Sequence, residues 1–276
     1  MCYDHAMMKL GVIGCGQMGR ALLGGILRAC VVREADVYLF NRTPEACSQI
    51  VREFPSVHVC GSIREMAALA DMVILSVKPA GVCSALAELA SAEGKKPCVL
   101  SIAAGVTLAT MQSCAPELRM VRAMPNTPAL VGMGASSFCG GSLATQDDLA
   151  AARRLLEAVG IAVELPEEKI HAVIGVAGSA PAYMFTILDA MADAGVSLGL
   201  TRGDALKLAT QTMLGSARLV QESGRHPMEL RDAVTSPGGT TIAALNAMDA
   251  NNLRYAVIAG VREAARKSEE MSRGQS

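Results

Sequence analysis

The sequence predicts an α/β domain in its N-terminal part and an all-α domain in its C-terminal part. Up to residue 165, short apolar runs alternate with segments of helical periodicity, which is typical of βαβ units around a parallel sheet covered on both faces. Beyond Pro166, only helical patterns are found. We therefore expect two domains, at residues 1–165 and 166–276.

The predicted elements follow from this alternation. Strands are expected at residues 9–14, 36–40, 57–60, 72–77, 98–103, 118–123, 135–139 and 161–165. The segment 124–134, which contains Pro125-Asn126-Thr127-Pro128, interrupts the regular spacing. Helices of the second domain are expected at residues 171–198, 201–222, 228–234, 240–249 and 252–272.

The composition argues against several classes of partner. The formal net charge is −1 without blocks of like charge, so neither nucleic acid nor an anionic membrane surface is an expected partner. Tryptophan is absent and aromatic residues make up only 3% of the chain, which also disfavours base stacking. With 51% hydrophobic residues, the chain has ample material for a buried core.

The cysteines predict reduced thiols. The chain has nine cysteines, an odd number, with no CxxC pair and none after Cys139, unlike a disulfide framework or a zinc site. The four histidines show no metal-ligand spacing, so no metal is expected.

Residues 1–8 lack the long apolar run of a signal peptide, so a cytoplasmic protein is expected.

A glycine-rich sequence follows the first predicted strand. Gly14-Cys15-Gly16-Gln17-Met18-Gly19 matches the GxGxxG fingerprint, at the end of the strand predicted at residues 9–14 and before a predicted helix. Ile13 and these six residues are the expected cofactor-binding residues of this turn. Gly14 is expected to form the tight turn, Gly16 to let the backbone approach a pyrophosphate, and Gly19 to let helix and strand pack closely. A Rossmann-like dinucleotide-binding domain is therefore predicted, with the pyrophosphate at the helix N-terminus.

The end of the second predicted strand indicates which dinucleotide binds. NAD-binding domains usually carry an acidic residue there, whereas this chain has Asn41-Arg42-Thr43 after Phe40. Arg42 would attract a 2′-phosphate, and Asn41 and Thr43 can donate hydrogen bonds to it. NADP(H) is therefore the preferred cofactor and NAD(H) the second choice. The alternative interpretation of Arg42 is an ordinary solvated loop residue.

Two further segments lie where an open α/β sheet binds its ligands. Ser76-Val77-Lys78-Pro79 ends the fourth predicted strand, and Ile102-Ala103-Ala104 ends the fifth. Their small side chains leave room for a nicotinamide ring and its ribose. Lys78 has two interpretations, a general acid or a structural lysine at a strand end.

The segment Thr235-Ser236-Pro237-Gly238-Gly239-Thr240-Thr241 is too polar and too rich in glycine to belong to a core. Adjacent glycines expose backbone N–H groups, hydroxyls flank them, and a helix is predicted to begin directly afterwards. N–H groups at a helix start bind anions such as a carboxylate, so a small acid is the expected ligand. The alternative is a Pro-Gly turn with a Ser/Thr helix cap.

The helical half is unusually apolar. The stretch 177–200 is almost wholly apolar, but Asp189 and Asp193 interrupt it, so a buried helix rather than a membrane span is predicted. A helix that is apolar on all sides must be covered, and a small helical domain cannot cover it alone. A partner chain and an extensive helical dimer are therefore expected.

Five motifs together resemble those of the pyrroline-5-carboxylate reductase family. They are Gly14-x-Gly16-x-Met18-Gly19, Ser76-Val77-Lys78-Pro79, Arg122-Ala123-Met124-Pro125-Asn126-Thr127-Pro128-Ala129, Gly178-Ser179-Ala180-Pro181-Ala182-Tyr183 and the 235–241 segment. Their order and spacing extend the resemblance over nearly the whole chain, and Ala180, where many members have glycine, is a mild departure. The resemblance implies hydride transfer from NAD(P)H to the imine of 1-pyrroline-5-carboxylate, which gives L-proline in the last step of proline biosynthesis.

The resemblance also implies roles for the last of these motifs. Ser236, Gly238 and Gly239 would hold the substrate carboxylate, with Thr240 beside them. Thr241 would hydrogen-bond the ring nitrogen, so Thr241 and Ser236 are the expected catalytic residues. Two subunits would intertwine their helical domains in a dimer or a dimer-based oligomer, and this motif would reach a site built with the partner.

Two alternative classes of protein compete with the class that this resemblance implies. A β-hydroxyacid or prephenate-type dehydrogenase would also join a dinucleotide-binding domain to a helical domain, but it lacks the Ser236-Pro237-Gly238-Gly239 loop in this form. A non-catalytic nucleotide sensor would be favoured by damage to that loop or to the glycine fingerprint, and both are intact.

Overall fold

The computed structural model describes residues 8–273, and the chain divides into two compact units. The first unit runs to Gly178 and takes in the chain again from Ala264, whereas the second unit spans Ser179–Glu263. The domain boundary predicted at residues 165 and 166 stays a prediction, since the two units describe compactness and not function. The prediction for residues 1–8 lies almost entirely outside the described residues.

The first unit is built on one eight-stranded sheet. Its strands are β1 (Leu10–Ile13), β2 (Val37–Phe40), β3 (His58–Val59), β4 (Met72–Leu75), β5 (Cys98–Ser101), β6 (Met120–Met124), β7 (Gly134–Gly140) and β8 (Gly160–Glu164). They lie in the order β3-β2-β1-β4-β5-β6-β7-β8, and the pairs among β1 to β6 are parallel. The strand order reverses between β1 and β4, which is where doubly wound sheets bind their ligands.

The parallel arrangement ends at β7, directly after the segment 124–134 that interrupts the regular spacing of the sequence. This strand runs antiparallel to β6, with Arg122 opposite Cys139 and Met124 opposite Ser137. A parallel return needs a crossover of roughly a dozen residues or more. The connection from β6 to β7 is shorter and holds only a 3₁₀ turn at Thr127–Val131, so β7 has to run antiparallel. β8 then pairs parallel with β7.

Helices cover both faces of this sheet. They are α1 (Gln17–Arg28), α2 (Ser48–Glu53), α3 (Ile63–Leu69), α4 (Val82–Ala90), α5 (Leu108–Cys114), α6 (Gln146–Glu157) and α7 (Ile170–Val173). The best capped is α6, where the Thr145 hydroxyl accepts from the N–H of Asp148 and the Asp148 carboxylate accepts from the N–H of Thr145.

Two apolar clusters, one on each face of the sheet, form the core of the first unit. Successive strand residues divide between them, because side chains alternate across a strand: Val12 lies in one cluster and Ile13 in the other. Helices α1 and α6 cover the first cluster, with residues such as Leu22 and Leu155. Helices α3, α4 and α5 cover the second, with residues such as Leu86. The first unit thus has a complete core of its own.

The second unit is helical throughout its described residues. It contains α8 (Ala180–Ser197), α9 (Arg202–Ser223), α10 (Pro227–Ala233), α11 (Thr240–Ala250) and the beginning of α12 (Leu253–Arg273). Its buried residues are alanines, namely Ala192, Ala205 and Ala209. An added Cβ at Gly195 would lie 2.8 Å from the Cβ of Ala205, so small residues allow α8 and α9 to pack closely.

Large apolar side chains of the second unit are exposed. Phe185 is 63% exposed, Leu198 85%, Val234 66% and Tyr255 71%. The helical segment Glu167–Ser197 contains an 18-residue window with a mean hydropathy of 1.4, so by length and composition it could cross a membrane, and 11% of that window is buried. A single segment of this kind is weak evidence for a membrane span. The helix predicted to be buried is therefore exposed in the single chain, and its burial would require a partner.

The prediction of reduced thiols is wrong for one pair of cysteines. Cys83 of α4 and Cys114 of α5 form a disulfide, with Cα atoms 5.4 Å apart. Sequence spacing gave no sign of this pair, because the two helices follow adjacent parallel strands and bring together residues that lie 31 positions apart. The other cysteines that the structure describes are free thiols, and all of them except Cys30 are buried.

Candidate functional site

The GxGxxG segment connects β1 to α1 at the carboxyl edge of the parallel strands. The N–H of Gly14 donates to the carbonyl of Phe40 at 2.9 Å, which ties the segment to the end of β2. The N–H of Ser76 donates to the carbonyl of Ile13 at 2.8 Å, which ties the end of β4 to β1. The segment therefore occupies the edge between β2 and β4, at the point where the strand order reverses.

Each glycine of this segment has its own geometric reason. Gly14 has φ +97°, and an added Cβ would overlap the backbone oxygen of Ser76. An added Cβ at Gly19 would overlap the carbonyl oxygen of Gly14, so only glycine lets α1 approach β1 this closely. At Gly16 nothing lies within 4 Å of an added Cβ, so space for a pyrophosphate is open there. This geometry fits a dinucleotide, and binding by these residues stays a prediction.

The residues between these glycines differ in exposure. Gln17 is exposed at the first position of α1, and Met18 packs partly against the core. Cys15 is buried, and its Sγ lies 3.4 Å from the Sγ of Cys47. Burial, with the neighbouring Cys47, raises the pKa of the Cys15 thiol. The thiol is therefore neutral at pH 7 and adds no negative charge beside an anionic ligand.

Asn41 joins the glycine segment to the loop that follows β2. Its Oδ1 accepts a hydrogen bond from the N–H of Cys15 at 3.1 Å, and its Nδ2 donates to the carbonyl of Thr43 at 2.8 Å. The amide predicted to donate to a 2′-phosphate thus already holds two segments of the chain together. Arg42 and Thr43 are exposed on the same loop.

The other predicted cofactor residues follow β4 and β5. The N–H of Ile102 donates to the carbonyl of Leu75 at 3.1 Å, which keeps the two segments side by side. Ile102 and Ala103 are buried, whereas Ala104 is exposed. Across from them, Ser76 and Val77 are partly buried, and Lys78 and Pro79 are exposed. The structure thus brings both predicted segments to one edge of the sheet.

The 235–241 segment, in the second unit, forms a tight turn and then a helix start. Gly238 has φ +67°, and the N–H of Gly239 donates to the carbonyl of Ser236 at 3.1 Å. The Ser236 hydroxyl occupies the place that a Cβ at Gly239 would need. Helix α11 begins directly afterwards, at Thr240, with Gly239 as its N-cap. The segment is therefore a Pro-Gly turn that also presents a helix N-terminus.

The first turn of α11 offers free hydrogen-bond donors. The N–H of Ala243 bonds to the carbonyl of Gly239 at 3.3 Å, while within the described chain the N–H groups of Thr240 and Thr241 have no acceptor. No acidic side chain lies in this turn to compete for them. Two free donors at the positive end of a helix favour an anion, and a carboxylate fits their size. The predicted binding of substrate by Ser236, Gly238, Gly239, Thr240 and Thr241 stays a prediction.

Sequence reasoning missed an ion pair with a buried arginine, which lies within the sheet beside the end of β5. Arg122 of β6, whose side chain is 3% exposed, donates to Oε1 of Glu167 at 2.7 Å. The same oxygen accepts from the N–H of Leu108, the first residue of α5, at 2.7 Å. No local pattern signals this cluster, since the partners of Glu167 lie 45 and 59 residues away in the sequence.

Metal ligands are not grouped in the described part of the chain. No three or more of its histidine, cysteine, aspartate and glutamate side chains could hold one ion together. The candidate site is instead made of backbone N–H donors, hydroxyls and an open glycine turn, and such groups suit a dinucleotide and a small acid.

Fold and glycine geometry together define a Rossmann-type, pyridine-nucleotide-dependent oxidoreductase. Residues 9–105 match the family described as NADP oxidoreductase, coenzyme F420-dependent. Residues 167–271 match the family described as pyrroline-5-carboxylate reductase dimerisation.

Individual relatives narrow this class. The chain is 40% identical to the pyrroline-5-carboxylate reductase of Escherichia coli (strain K12) over 266 residues, which cover 96% of this chain and 98% of the relative. It therefore belongs to the pyrroline-5-carboxylate reductase family, and the predicted family, fold class and enzyme class are confirmed.

Solved structures agree with this assignment. The pyrroline-5-carboxylate reductase of Coxiella burnetii has a TM-score of 0.91 at 32% identity, covering 96% of this chain and 99% of that one. The Plasmodium falciparum pyrroline carboxylate reductase with NADP bound has a TM-score of 0.82 at 29% identity, covering 96% and 98%. A prephenate dehydrogenase from A. aeolicus, at 16% identity and a TM-score of 0.54, shares the fold alone. The alternative dehydrogenase class therefore gains no support beyond the fold.

Proposed function

We propose that this chain reduces 1-pyrroline-5-carboxylate to L-proline, with NADPH as its preferred hydride donor. One observation carries the proposal: an open glycine fingerprint and a helix start with free N–H donors occur in one chain of this family. The first suits a dinucleotide, and the second suits the carboxylate of a small acid. The chemistry is hydride addition to the carbon of the C=N bond, and the nitrogen of the protonated imine becomes the amine of proline.

The substrate carboxylate is proposed to bind at the start of α11. The free N–H groups of Thr240 and Thr241 and the partial positive charge of the helix end attract it, and the Ser236 hydroxyl adds a donor. The Thr241 hydroxyl is proposed to hydrogen-bond the ring nitrogen. Fixing the carboxylate and the nitrogen together fixes which face of the ring accepts the hydride, so the work of the loop is orientation.

The dinucleotide is proposed to bind across the carboxyl edge of the sheet. The open backbone at Gly16 and the N-terminus of α1 would hold the pyrophosphate. The ends of β4 and β5, at Ser76–Pro79 and Ile102–Ala104, would hold the nicotinamide and its ribose. The bound cofactor supplies the hydride, and the protein supplies its position. Lys78 is exposed and keeps both interpretations, since an imine that is partly protonated near neutral pH needs little general acid.

The preference for NADPH rests on charge. The loop after β2 carries Arg42 and no acidic side chain in the Asn41–Thr43 stretch, so a 2′-phosphate meets attraction and no repulsion there. The NADP-bound relative from Plasmodium falciparum is in line with this preference. NADH remains the second donor to be compared.

Self-association and location complete the proposal. The exposed apolar side chains of the second unit and its match to a dimerisation family support a homodimer, or an oligomer built from dimers. The net charge of −1 without blocks of like charge supports neither nucleic acid nor a membrane as partner, and a cytoplasmic location is proposed with it.

A direct assay tests the activity. Purified protein is mixed with 1-pyrroline-5-carboxylate, oxidation of NADPH and of NADH is followed separately, and proline is identified by mass. The expected result is proline formation with a higher kcat/KM for NADPH than for NADH. Folded protein that binds a dinucleotide but forms no proline would overturn the activity, and a higher kcat/KM for NADH would overturn the cofactor preference.

A further inference from the structure

Asn126 makes two hydrogen bonds that connect distant parts of the first unit. Its side chain is buried, with the residue 8% exposed. The Oδ1 accepts from the N–H of Ala135, at the start of β7, at 2.9 Å, and the Nδ2 donates to the carbonyl of Ala177 at 3.1 Å. One partner is a donor and the other an acceptor, so the amide of an asparagine satisfies both and a carboxylate would satisfy only one.

The carbonyl of Ala177 lacks its ordinary helical partner. Apart from Ser179, which is the N-cap of α8, the chain is helical from Glu167 to Ser197. In a continuous α-helix the carbonyl of residue 177 would accept from the N–H of residue 181. Residue 181 is proline, which has no N–H and whose ring crowds the carbonyl four residues earlier. A π-helical turn at Ile174–Gly178 lies directly before this proline, which is where a disturbed helix ladder is expected.

We propose that Asn126 is a positioning residue that supplies the donor missing at Pro181 and thereby fixes the chain at the start of α8. Two motifs that carry the family resemblance, Met124–Pro128 and Gly178–Tyr183, would then act together. Pro181 of the second motif lacks the N–H donor, and the side-chain amide of Asn126 in the first motif replaces it. The consequence for activity rests on the proposed function, since α8 lies within residues 167–271, which match the dimerisation family and contain the proposed substrate loop.

The contacts of Asn126 predict which property depends on it. Its partners lie on β7 and in the π-helical turn, and none belongs to the glycine fingerprint or to the loop after β2. Loss of the amide leaves the half-buried carbonyl of Ala177 without a protein donor, so the turn opens more often. The affinity for the dinucleotide should be unchanged. The affinity between subunits and kcat should fall, because both are proposed to depend on the helices that follow this turn.

Amide hydrogen exchange with a rescue variant tests the bond itself. In Asn126→Ala, and in Asn126→Asp, which keeps the acceptor for Ala135, exchange in residues 174–186 should be about tenfold faster than in the wild type. Pro181→Ala restores an N–H at the required position, so it should change exchange little by itself and should suppress the defect of Asn126→Ala. Unchanged exchange in both Asn126 variants, or a defect that Pro181→Ala leaves as large, would overturn the proposal.

The dimer dissociation constant and kcat give a second measurement. A residue that only stabilises the fold would lower the amount of active protein without changing these two constants. Asn126→Asp should raise the dimer dissociation constant and lower kcat several-fold, with the KM for NADPH unchanged, and Pro181→Ala should restore both. A fall in active fraction with unchanged dissociation constant and kcat per active dimer would contradict the functional part. A wild type that neither forms proline nor self-associates would refute the proposed function, while the exchange experiment would still decide the role of the bond.

Discussion

The two units of this molecule bury their apolar residues in opposite ways. In the first unit, large side chains such as Leu22, Met66 and Phe138 are at most 1% exposed and fill clusters on both faces of the sheet. In the second unit the buried residues are alanines, while Phe185 and Leu198 are 63% and 85% exposed. Burial of apolar area is the main source of folding free energy. The first unit therefore gains this free energy within one chain, whereas the second unit leaves much of its apolar area exposed to solvent.

This contrast separates two kinds of functional residue. Residues of the proposed dinucleotide site are held by the core of the first unit, so their geometry is set without a ligand. Residues of the 235–241 loop lie in a unit whose apolar surface is uncovered in the single chain. Variants of the first unit should therefore act on stability and cofactor affinity, and variants of the second on association and turnover.

The largest effect is expected at the glycine turn of the first unit. Gly14→Ala forces a side chain into a backbone with φ +97° and into the carbonyl of Ser76, so the free energy of unfolding should fall by about 3 kcal/mol. Gly16→Ala is the matched control, since its Cβ meets nothing within 4 Å. It should leave the urea midpoint unchanged and raise the KM for NADPH. Equal loss of stability in the two variants would show that the turn is not preformed.

A charge on the apolar surface of the second unit tests the other side of the contrast. Phe185→Glu places a carboxylate where a partner is expected to cover the surface, so the dimer dissociation constant should rise roughly thirtyfold, about 2 kcal/mol. Sedimentation velocity over a concentration series measures it. Val131→Glu, at a residue 75% exposed in the first unit, is the control and should leave association unchanged. An equal rise of the dissociation constant in both variants would show that the exposed apolar surface of the second unit has no special role in association.

Substitutions in the proposed substrate loop should lower kcat/KM and leave the free energy of unfolding unchanged. Thr241→Ala removes the hydroxyl that is proposed to hydrogen-bond the reacting nitrogen, so kcat/KM for 1-pyrroline-5-carboxylate should fall about tenfold, which corresponds to roughly 1–2 kcal/mol. Thr235→Ala is the control, because the Thr235 hydroxyl is engaged with the carbonyl of Arg231. Steady-state kinetics compares the two, and wild-type values for Thr241→Ala would remove this residue from the reaction.

The preference for NADPH over NADH should depend on residues of the first unit alone. Arg42→Ala removes the positive charge proposed for the 2′-phosphate, so the KM for NADPH should rise about fivefold, near 1 kcal/mol, with the KM for NADH unchanged. Arg52→Ala, at another exposed arginine of the following helix, serves as control. An equal loss with both dinucleotides would refute contact with the 2′-phosphate.

The smallest effect concerns acid stability of the first unit. Partial burial would raise the pKa of Asp71, but hydrogen bonds from the Lys95 ammonium at 2.8 Å and from the N–H of Lys9 at 3.0 Å outweigh it and lower the pKa. A lowered folded-state pKa adds stability above the unfolded pKa, about 3.9, and this stability is lost as pH falls below it. Because the pair is largely exposed, Asp71→Asn should cost less than about 1 kcal/mol at pH 7.

Urea midpoints at pH 7 and pH 3 measure this difference, with Glu93→Gln, an exposed acid of the same unit, as control. The gap between wild type and Asp71→Asn should shrink at pH 3. A gap of equal size at both pH values would contradict the assigned lowering of the pKa.

Local pattern was sufficient wherever structure is decided locally. The strands around Ile13, the turn at Gly14 and the helix start at Thr240 could be predicted, because each depends on neighbouring residues. The antiparallel β7 could not be predicted, since its direction follows from the length of the connection after Met124 and from pairing across the sheet. In the candidate site, the turns and strand ends could likewise be predicted, whereas the hydrogen bonds that connect them could not; ligand binding by these segments stays a prediction.

Those cross-connections join residues far apart in the sequence. Asn41 is the instructive case: its residue type predicted a polar contact, but the contact is with Cys15 and Thr43. The Cys83–Cys114 disulfide is invisible in sequence spacing for the same reason, because only the packing of two helices brings the sulfurs together.

The last helix of the chain does not end in the unit where it begins. From Ala264 it belongs to the first unit, where Nδ1 of His171 lies 2.8 Å from Oγ of Ser268. The chain thus passes between the units twice, and in topological terms the second unit is an insertion into the first. A gene shortened from its 3′ end would lose part of the first unit before the second. Exchange of the helical unit between relatives, in evolution or in the laboratory, therefore needs two junctions, one at each crossing.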